Sequence, residues 1–372
     1  MDFDTLALRE IALDLNEPFK VSFGEATKKH ILILEAREGD DWFYGEAAPI
    51  RHPLYNSEAI FTTKEALKRY VTMALDYCQS VEGYRELISN MEGHNFAKAA
   101  GETLLYHRQS VTTGTPLHEC IGGTKDEADC GGSIGIKEEQ EAVDKIEAFL
   151  DRGYSRIKVK IEPGQDVDYV DTIRDYFPDI DLIVDANAAY TLEDADRLAE
   201  LDQYDLEMIE QPLPNRDIVN HSVLASRLDT PLCLDESIHS AEDVERAARV
   251  DACDIINLKP QRVSGLLEAQ RINEACKEHG MEMWVGGVGE SAIGMSYTVA
   301  AASLDGVTLP GETVPTGRFY EDKIVESGIE MVDGRIDMPD SPGLLATVDR
   351  DRLEEHTVYY EDLTDHEGAL DI

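Results

Sequence analysis

Residues 182–190 read Leu-Ile-Val-Asp-Ala-Asn-Ala-Ala-Tyr, "LIVDANAAY". Three apolar residues run into Asp185, and small side chains follow it. A short, wholly apolar run is how a strand covered on both faces reads. The carboxylate therefore stands where a buried strand stops. The same construction recurs along the chain. Lys160 closes "SRIKVK", Glu210 closes "LEMIE", Asp235 follows "PLCL" and Lys259 follows "DIINL". The five positions are 25, 25, 25 and 24 residues apart. A strand, a helix and two short connections take about 25 residues. The stretch is thus a repeated strand–helix unit with a polar residue at the end of each strand. "MEMWVG" (281–286) and "GVTLPG" (306–311) extend the series. Such alternation implies a parallel sheet. A doubly wound open sheet would string the strand ends along a line or around a switch point. A closed barrel gathers them on one face. The expectation is α/β class: a modified TIM-type (β/α) barrel.

Upstream of about residue 122 the texture differs. "TLALREIALDL" and "HILILEAREGDDWFYGEA" have strand character, with a turn at Gly39-Asp40-Asp41, and residues 57–110 have helical periodicity. This predicts an N-terminal α+β capping domain over residues 1–122 and barrel over 123–325. A C-terminal segment, 326–372, carries a hairpin at Asp333-Gly334 and returns to the capping layer.

The 372 residues are enough for a barrel plus a second layer. No apolar run of 18 residues occurs, and the acidic start lacks a leader pattern, so neither membrane span nor signal peptide is expected. Six scattered cysteines form no CxxC pair, which fits reduced thiols in a cytoplasm. The formal net charge of −42 would repel nucleic acid and anionic membranes. Self-repulsion at that density is relieved by salt, whose screening length falls to about 3 Å at 1 M. A salt-rich cytoplasm is the expected setting, and a homo-oligomer the expected assembly.

Asp185, Glu210 and Asp235 would bring three negative charges together from consecutive strands. Buried without a partner they would stay protonated or cost many kcal/mol. A hard divalent cation, Mg²⁺ or alternatively Mn²⁺, resolves this with oxygen ligands. Lys158 and Lys160 lie two apart on a strand and share a face; Lys259 follows the next strand but one after Asp185's neighbour Glu210. A nearby ammonium and a divalent cation should lower a lysine pKa toward neutrality. The combination suits removal of a proton α to a carboxylate: lysine takes the proton and the cation holds the enediolate charge. Helix caps and metal-free salt bridges are the structural alternatives for the same residues.

"KVK", "VDANAAYT", "MIEQPL", "CLDES", "NLKP" and "GGVGES" resemble the enolase superfamily in its muconate-lactonising subgroup, over nearly the whole chain. "IKVKIEPGQD", "CLDESI" and "TLPGETVPTGRFYEDKI" are most similar to o-succinylbenzoate synthases and N-succinylamino acid racemases. The resemblance implies Mg²⁺ on Asp185, Glu210 and Asp235, and Lys160 as base. It implies Lys259 as second base or as a cation beside the intermediate, with Lys158 in electrostatic support. Ser133, Asn187 and the loop Gly287, Val288, Gly289, Glu290 and Ser291 would face a small carboxylate substrate. Phe19, Phe23 and Tyr55 would close over its distal part. Gln261 and Ser264 stand where the group carries glycine, and Val288-Gly289 where a bulkier pair is common; all are expected at the pocket. The implied reactions are dehydration to o-succinylbenzoate on the route to menaquinone, racemisation of N-acylamino acids, or another cycloisomerisation. A non-catalytic carboxylate-binding barrel is the alternative of another class. Gly287–Ala292 also fits G-x-G-x-x-A, but in the seventh strand–helix unit rather than the first, so nucleotide binding is not expected. His239 reads as a helix-surface residue.

Overall fold

The computed structural model describes residues 3–21, 24–321 and 323–364. Three long antiparallel strands open the chain: β1 (Thr5–Val21), β2 (Gly24–Glu38) and β3 (Asp41–Ala47). Gly39 at φ 59° makes the tight turn between the last two. Ile31, Leu32, Ile33 and Leu34 on β2 are all fully buried, so both faces of this sheet are covered. Five helices follow: α1 (Ile60–Ala66), α2 (Thr72–Tyr77), α3 (Val81–Ile88), α4 (Asn95–Thr113) and α5 (Leu117–Cys120). A single π turn over Leu67–Val71 joins α1 to α2. Helix α4 lies directly on β3. A Cβ at Gly45 would fall 1.9 Å from the Ala100 carbonyl oxygen, so only glycine permits that approach.

A short strand β4 (Glu127–Asp129) leads into seven parallel strands: β5 (Gly131–Ile134), β6 (Arg156–Lys160), β7 (Asp181–Asp185), β8 (Met208–Glu210), β9 (Leu232–Leu234), β10 (Ile255–Leu258) and β11 (Glu282–Val285). They pair strictly in chain order. The helices α6 (Glu139–Leu150), α7 (Val167–Tyr176), α8 (Ala195–Ala199), α9 (Ile218–Ala225), α10 (Ala241–Arg249), α11 (Leu266–His279) and α12 (Ala292–Ala302) fill the intervals. The expected strand in "GVTLPG" is extended backbone rather than an assigned strand. It still closes the ring. Thr308 and Glu312 donate to Met283 and Val285 of β11, and Gly311 exchanges bonds with Asp129 and Gly131 beside β5.

Side-chain alternation then sets the barrel's interior. Ile183, Met208, Cys233, Ile255 and Trp284 form a sealed apolar layer with Leu309 against it. Two residues further along β7 and β8 the same face carries Asp185 and Glu210, paired in register with each other. Charged groups therefore sit one layer above an apolar plug. The Trp284 ring carries the Arg156 guanidinium at 4.6 Å and the Lys158 ammonium at 4.9 Å.

The tail continues through β12 (Val325–Ser327), β13 (Arg335–Asp337), β14 (Thr347–Val348), α13 (Arg350–Glu355) and β15 (Thr357–Asp362). Asp333 and Gly334 adopt positive φ, 48° and 76°, as a tight two-residue turn requires. The strand it releases, β13, pairs with β4 at the N-terminal end of the barrel strands. It is β15 that pairs with β1 and extends the first sheet. No helix among the described residues is long and apolar enough to cross a membrane.

Candidate active site

A cavity of about 560 Å³ lies between the first sheet and the barrel's C-terminal face, within the usual size for a small-molecule site. Lys158, Lys160 and Lys259 line it, with Ser133, Asn187, Gly287, Val288, Gly289 and Tyr55. Beneath them are the acids. Asp185 Oδ2 accepts from Lys160 at 2.5 Å and lies 3.2 Å from Lys158. Glu210 accepts from Lys158 at 3.0 Å and from the Asn257 amide at 2.7 Å. Asp235 takes Lys259 at 2.7 Å, the Arg262 guanidinium, and the Tyr55 hydroxyl at 3.4 Å. All three acids are at most 1% exposed.

The series thus converges as its spacing predicts, and the fold adds members. Glu312, on the closing segment, pairs with Lys158 at 2.7 Å. Arg262 is fully buried. Glu236 accepts from Asn187 at 3.1 Å, while its other oxygen is buried without a partner. Glu312 directly follows the eighth candidate strand, 306–311, and Glu236 and Arg262 sit in the turns after β9 and β10, outside the strand-end register, so spacing alone did not mark them. Gln211, at φ 38°, accepts from the backbone N–H groups of Asp235 and Ser237 and ties two strand ends together.

The carboxylates set the charge state of the two flanking lysines. Burial would lower Lys158, but Glu210, Glu312 and Asp185 outweigh it and hold the ammonium well above the usual range. Lys259 is likewise raised, burial being outweighed by Tyr55, Glu312, Glu210 and Glu236. For Lys158 and Lys259 the neighbouring negative charges favour the ammonium form more than burial disfavours it. Burial, opposed and exceeded by Lys160 and Lys158, leaves Asp185 depressed. Glu210 is raised by burial and by Asp185, and Glu236 by burial, Asp185 and Glu210.

Among the described residues, no three acidic, imidazole or thiol side chains stand close enough together to hold a metal ion as arranged; ammonium groups lie between them. The donor set nonetheless fits a hard divalent cation. Its ligands are carboxylate oxygens, one Glu236 oxygen lacks any partner, and burial and Asp185 keep both Glu210 and Glu236 raised despite the lysines.

Several expected pocket residues are elsewhere. Glu290 turns back to the Val288 N–H and the Thr298 hydroxyl. Ser291 caps α12 through Ile293 and bonds Glu46 of β3. Gln261 and Ser264 do not line the cavity. Gln261 accepts the Ala48 N–H at 2.7 Å, and Ser264 accepts Arg85 at 2.6 Å, so both departures tie the two layers together. Tyr55 reaches the lysine end of the cavity: its hydroxyl accepts from Arg262 at 3.1 Å and its ring lies 5.4 Å from the Lys259 ammonium. Phe23 lies outside the described residues, and Phe19 is described only as backbone. His239 is in the exposed turn before α10, not on a helix. The G-x-G-x-x-A stretch does lead into a helix N-terminus, but the Glu46 carboxylate fills it, accepting from Ser291 and Gly294 N–H groups at 3.0 Å. A phosphate would meet a carboxylate there.

Residues 141–352 match the family described as enolase C-terminal domain-like. The chain is 38% identical to an o-succinylbenzoate synthase of Geobacillus stearothermophilus, over 96% of this chain and 97% of that one. It is also 38% identical to an N-succinylamino acid racemase of Amycolatopsis sp, over 96% and 98%. Among solved structures, an enolase-superfamily member from Listeria innocua superposes with a TM-score of 0.92 at 35% identity, covering 97% of this chain and 99% of that one.

Proposed function

Because this chain belongs to the enolase superfamily, we propose that it removes a proton α to a substrate carboxylate, and that its reaction is the dehydration giving o-succinylbenzoate. Racemisation of N-succinylamino acids is the second reading, and another cycloisomerisation of the muconate-lactonising type the third. The observation that carries the chemistry is the convergence of Lys160 and Lys259 on one cavity with Asp185, Glu210 and Asp235 directly below. Relatives of both kinds at equal identity keep the first two readings together.

The roles follow from position. Lys160 takes the α-proton on its Nζ and returns it to the hydroxyl on the neighbouring carbon, which departs as water. Lys259 keeps a positive charge against the intermediate in the dehydration. In a racemase it would return a proton to the opposite face, which its opening into the same cavity favours. Lys158 holds Asp185, Glu210 and Glu312 in place. Asp185, Glu210 and Asp235 would hold Mg²⁺, with Mn²⁺ the alternative, and Glu236 stands by as a further donor. The chemistry such an ion supplies when bound is stabilisation of the second negative charge on the carboxylate. Asn187 and the Gly287–Gly289 loop line the cavity in which the substrate would lie. The proposal includes a place on the route to menaquinone, a salt-rich cytoplasm and a homo-oligomeric assembly.

The test is to assay both reactions side by side, with Mg²⁺ in molar salt. The dehydration should run. Appearance of deuterium at the α-carbon of N-succinylamino acids in D₂O would establish the racemase activity. Lys160→Ala should lose at least about 10³-fold in either; retention of full activity would remove the scheme.

A further inference from the structure

Lys29 is an ammonium at the cavity that the proton chemistry leaves unused. It stands on β2, partly withdrawn from solvent, and lines the cavity. Other lysines of the same lining are paired with acids: Lys28 with Asp14 at 3.1 Å, Lys137 with Glu141 at 2.7 Å and Lys145 with Glu17 at 2.6 Å. Lys29 has no carboxylate within ion-pairing distance among the described residues. Its Nζ donates instead to two backbone carbonyls, Ala48 at 2.7 Å and Val288 at 2.9 Å. An ammonium drawn out of water without an ion-pair partner is costly. An apolar side chain would fill the same space without that cost.

The two carbonyls belong to different layers. Ala48 follows β3, and its N–H is held by Gln261 of the barrel at 2.7 Å. From there the chain runs through residues 49–58 without helix or strand and brings Tyr55 to Asp235 and Arg262. Val288 belongs to the loop after β11. Its N–H goes to the Glu290 carboxylate at 2.7 Å, and the neighbouring Gly289 carbonyl accepts the Tyr320 hydroxyl at 2.5 Å. Both segments line the cavity, and neither has a ladder or a helix to fix its backbone. Lys29 bonds to both at once. The charged groups acting on it are Glu290 and, from β3, Glu46, with Tyr320 beside it at Gly289. Both acids are engaged by N–H and hydroxyl donors around the start of α12 instead of pairing with Lys29.

We propose that Lys29 is a positioning residue: its ammonium clasps the 48–58 segment to the Val288–Gly289 wall, so that two walls of the cavity are held in one arrangement, and the clasp weakens when the proton leaves. This rests on the proposed reading of the site only in that the ligand occupies this cavity. Hydrogen bonds from an ammonium are about twice as strong as those from a neutral donor. Burial pulls Lys29 down to about 8, opposed by Glu290 and Glu46. The charged form therefore prevails below that pH, and the clasp loosens as pH rises through it. Lys158 and Lys259 are held well above the usual range and keep their protons over the same interval.

The experiment makes two measurements at pH 7 and pH 9 with Mg²⁺ present. One is the dissociation constant of 2-succinylbenzoate by calorimetric titration. The other is amide deuterium exchange of segments 48–58 and 286–291 without ligand, corrected for the intrinsic pH dependence of exchange. The unaltered enzyme should bind about three- to tenfold more weakly at pH 9, where about a tenth of Lys29 is charged. Lys29→Met should bind as weakly at pH 7 as the unaltered enzyme does at pH 9, with no further fall. Lys29→Arg, charged at both values, should stay tight at both. Both segments should exchange faster in Lys29→Met at pH 7, and the gap to the unaltered protein should narrow at pH 9. Equal affinity of the unaltered enzyme at the two pH values, a gap to Lys29→Met that stays constant, or exchange indifferent to Lys29 would each overturn the inference. The first of these needs no variant to fold. Absence of 2-succinylbenzoate binding with the exchange pattern intact would remove the proposed reaction and leave the Lys29 assignment standing.

Discussion

Ser264 stands at φ 73°, in the left-handed region where a side chain costs about 1 kcal/mol or more and glycine costs nothing. Its hydroxyl accepts from the Arg85 guanidinium at 2.6 Å, a charge-assisted bond of about 1.5–3 kcal/mol. The bond outweighs the strain. Ser264→Gly should therefore destabilise the protein by about 1 kcal/mol, and the same change in an Arg85→Ala background should stabilise it by about as much. Chemical denaturation of the four proteins of this cycle checks the sign reversal. A residue that breaks a family's glycine is legible in sequence, but the reason for tolerating it is an arginine 179 positions away. The same holds for Tyr55, which sequence assigns to the distal pocket and the fold delivers to Asp235 and Arg262. Tyr55→Phe should consequently act on kcat more than on KM, since the lost hydroxyl touches the cluster around Lys259. Steady-state kinetics on the dehydration separates the two.

At the scale of elements, the two layers are joined by acids from one capping helices of the other. Glu46 on β3 caps α12, and Glu102 on α4 accepts the Leu267 N–H at 2.9 Å at the start of α11. Burial raises both carboxyls to about 7. Each folded-state value lies above the ordinary 4.5, so the folded protein binds more protons between about pH 4.5 and 7. The stability each contributes is fully present below pH 4.5 and is lost as pH rises through 7. Glu102→Gln should remove this dependence at one joint. Relative to the variant, the unaltered protein should lose on the order of 3 kcal/mol between pH 4.5 and 8. Urea unfolding across that range measures it; parallel curves would refute the assignment. The strands and helices themselves were readable because apolar runs and 3.6-residue periodicity are local. The missing eighth strand was not. "GVTLPG" has the apolar content of a strand, but Pro310 has no N–H to give the ladder, and closure falls to a few bonds on either side.

For the whole molecule the dominant quantity is charge, 76 acids against 34 lysines and arginines. Most of these acids are on the surface, where repulsion is long-ranged in dilute buffer and screened within a few ångströms in molar salt. The melting temperature should rise by on the order of 10 °C between 0.1 and 2 M KCl, in the same direction with NaCl; a melting curve indifferent to salt would refute the salt-rich setting. In high salt, adding Mg²⁺ to protein stripped by a chelator should raise the melting temperature further, because an ion bound only by the folded state stabilises it by mass action. Asp235→Asn should abolish that increment.

The ring of strands, the face on which Lys160, Asp185, Glu210, Asp235 and Lys259 emerge, and the chemistry those residue types permit are all legible along the chain. Each follows from a local rule, because a strand–helix unit consumes a fixed length of chain and side chains alternate along a strand. Which charges meet is settled by the folded arrangement. Glu312, Arg262 and Glu236 join the cluster, Glu290 and Ser291 leave it, and Lys29 meets two carbonyls rather than an acid. Partnership between charges depends on distances set when the ring closes and the first sheet settles over it, and no spacing along the chain encodes those distances.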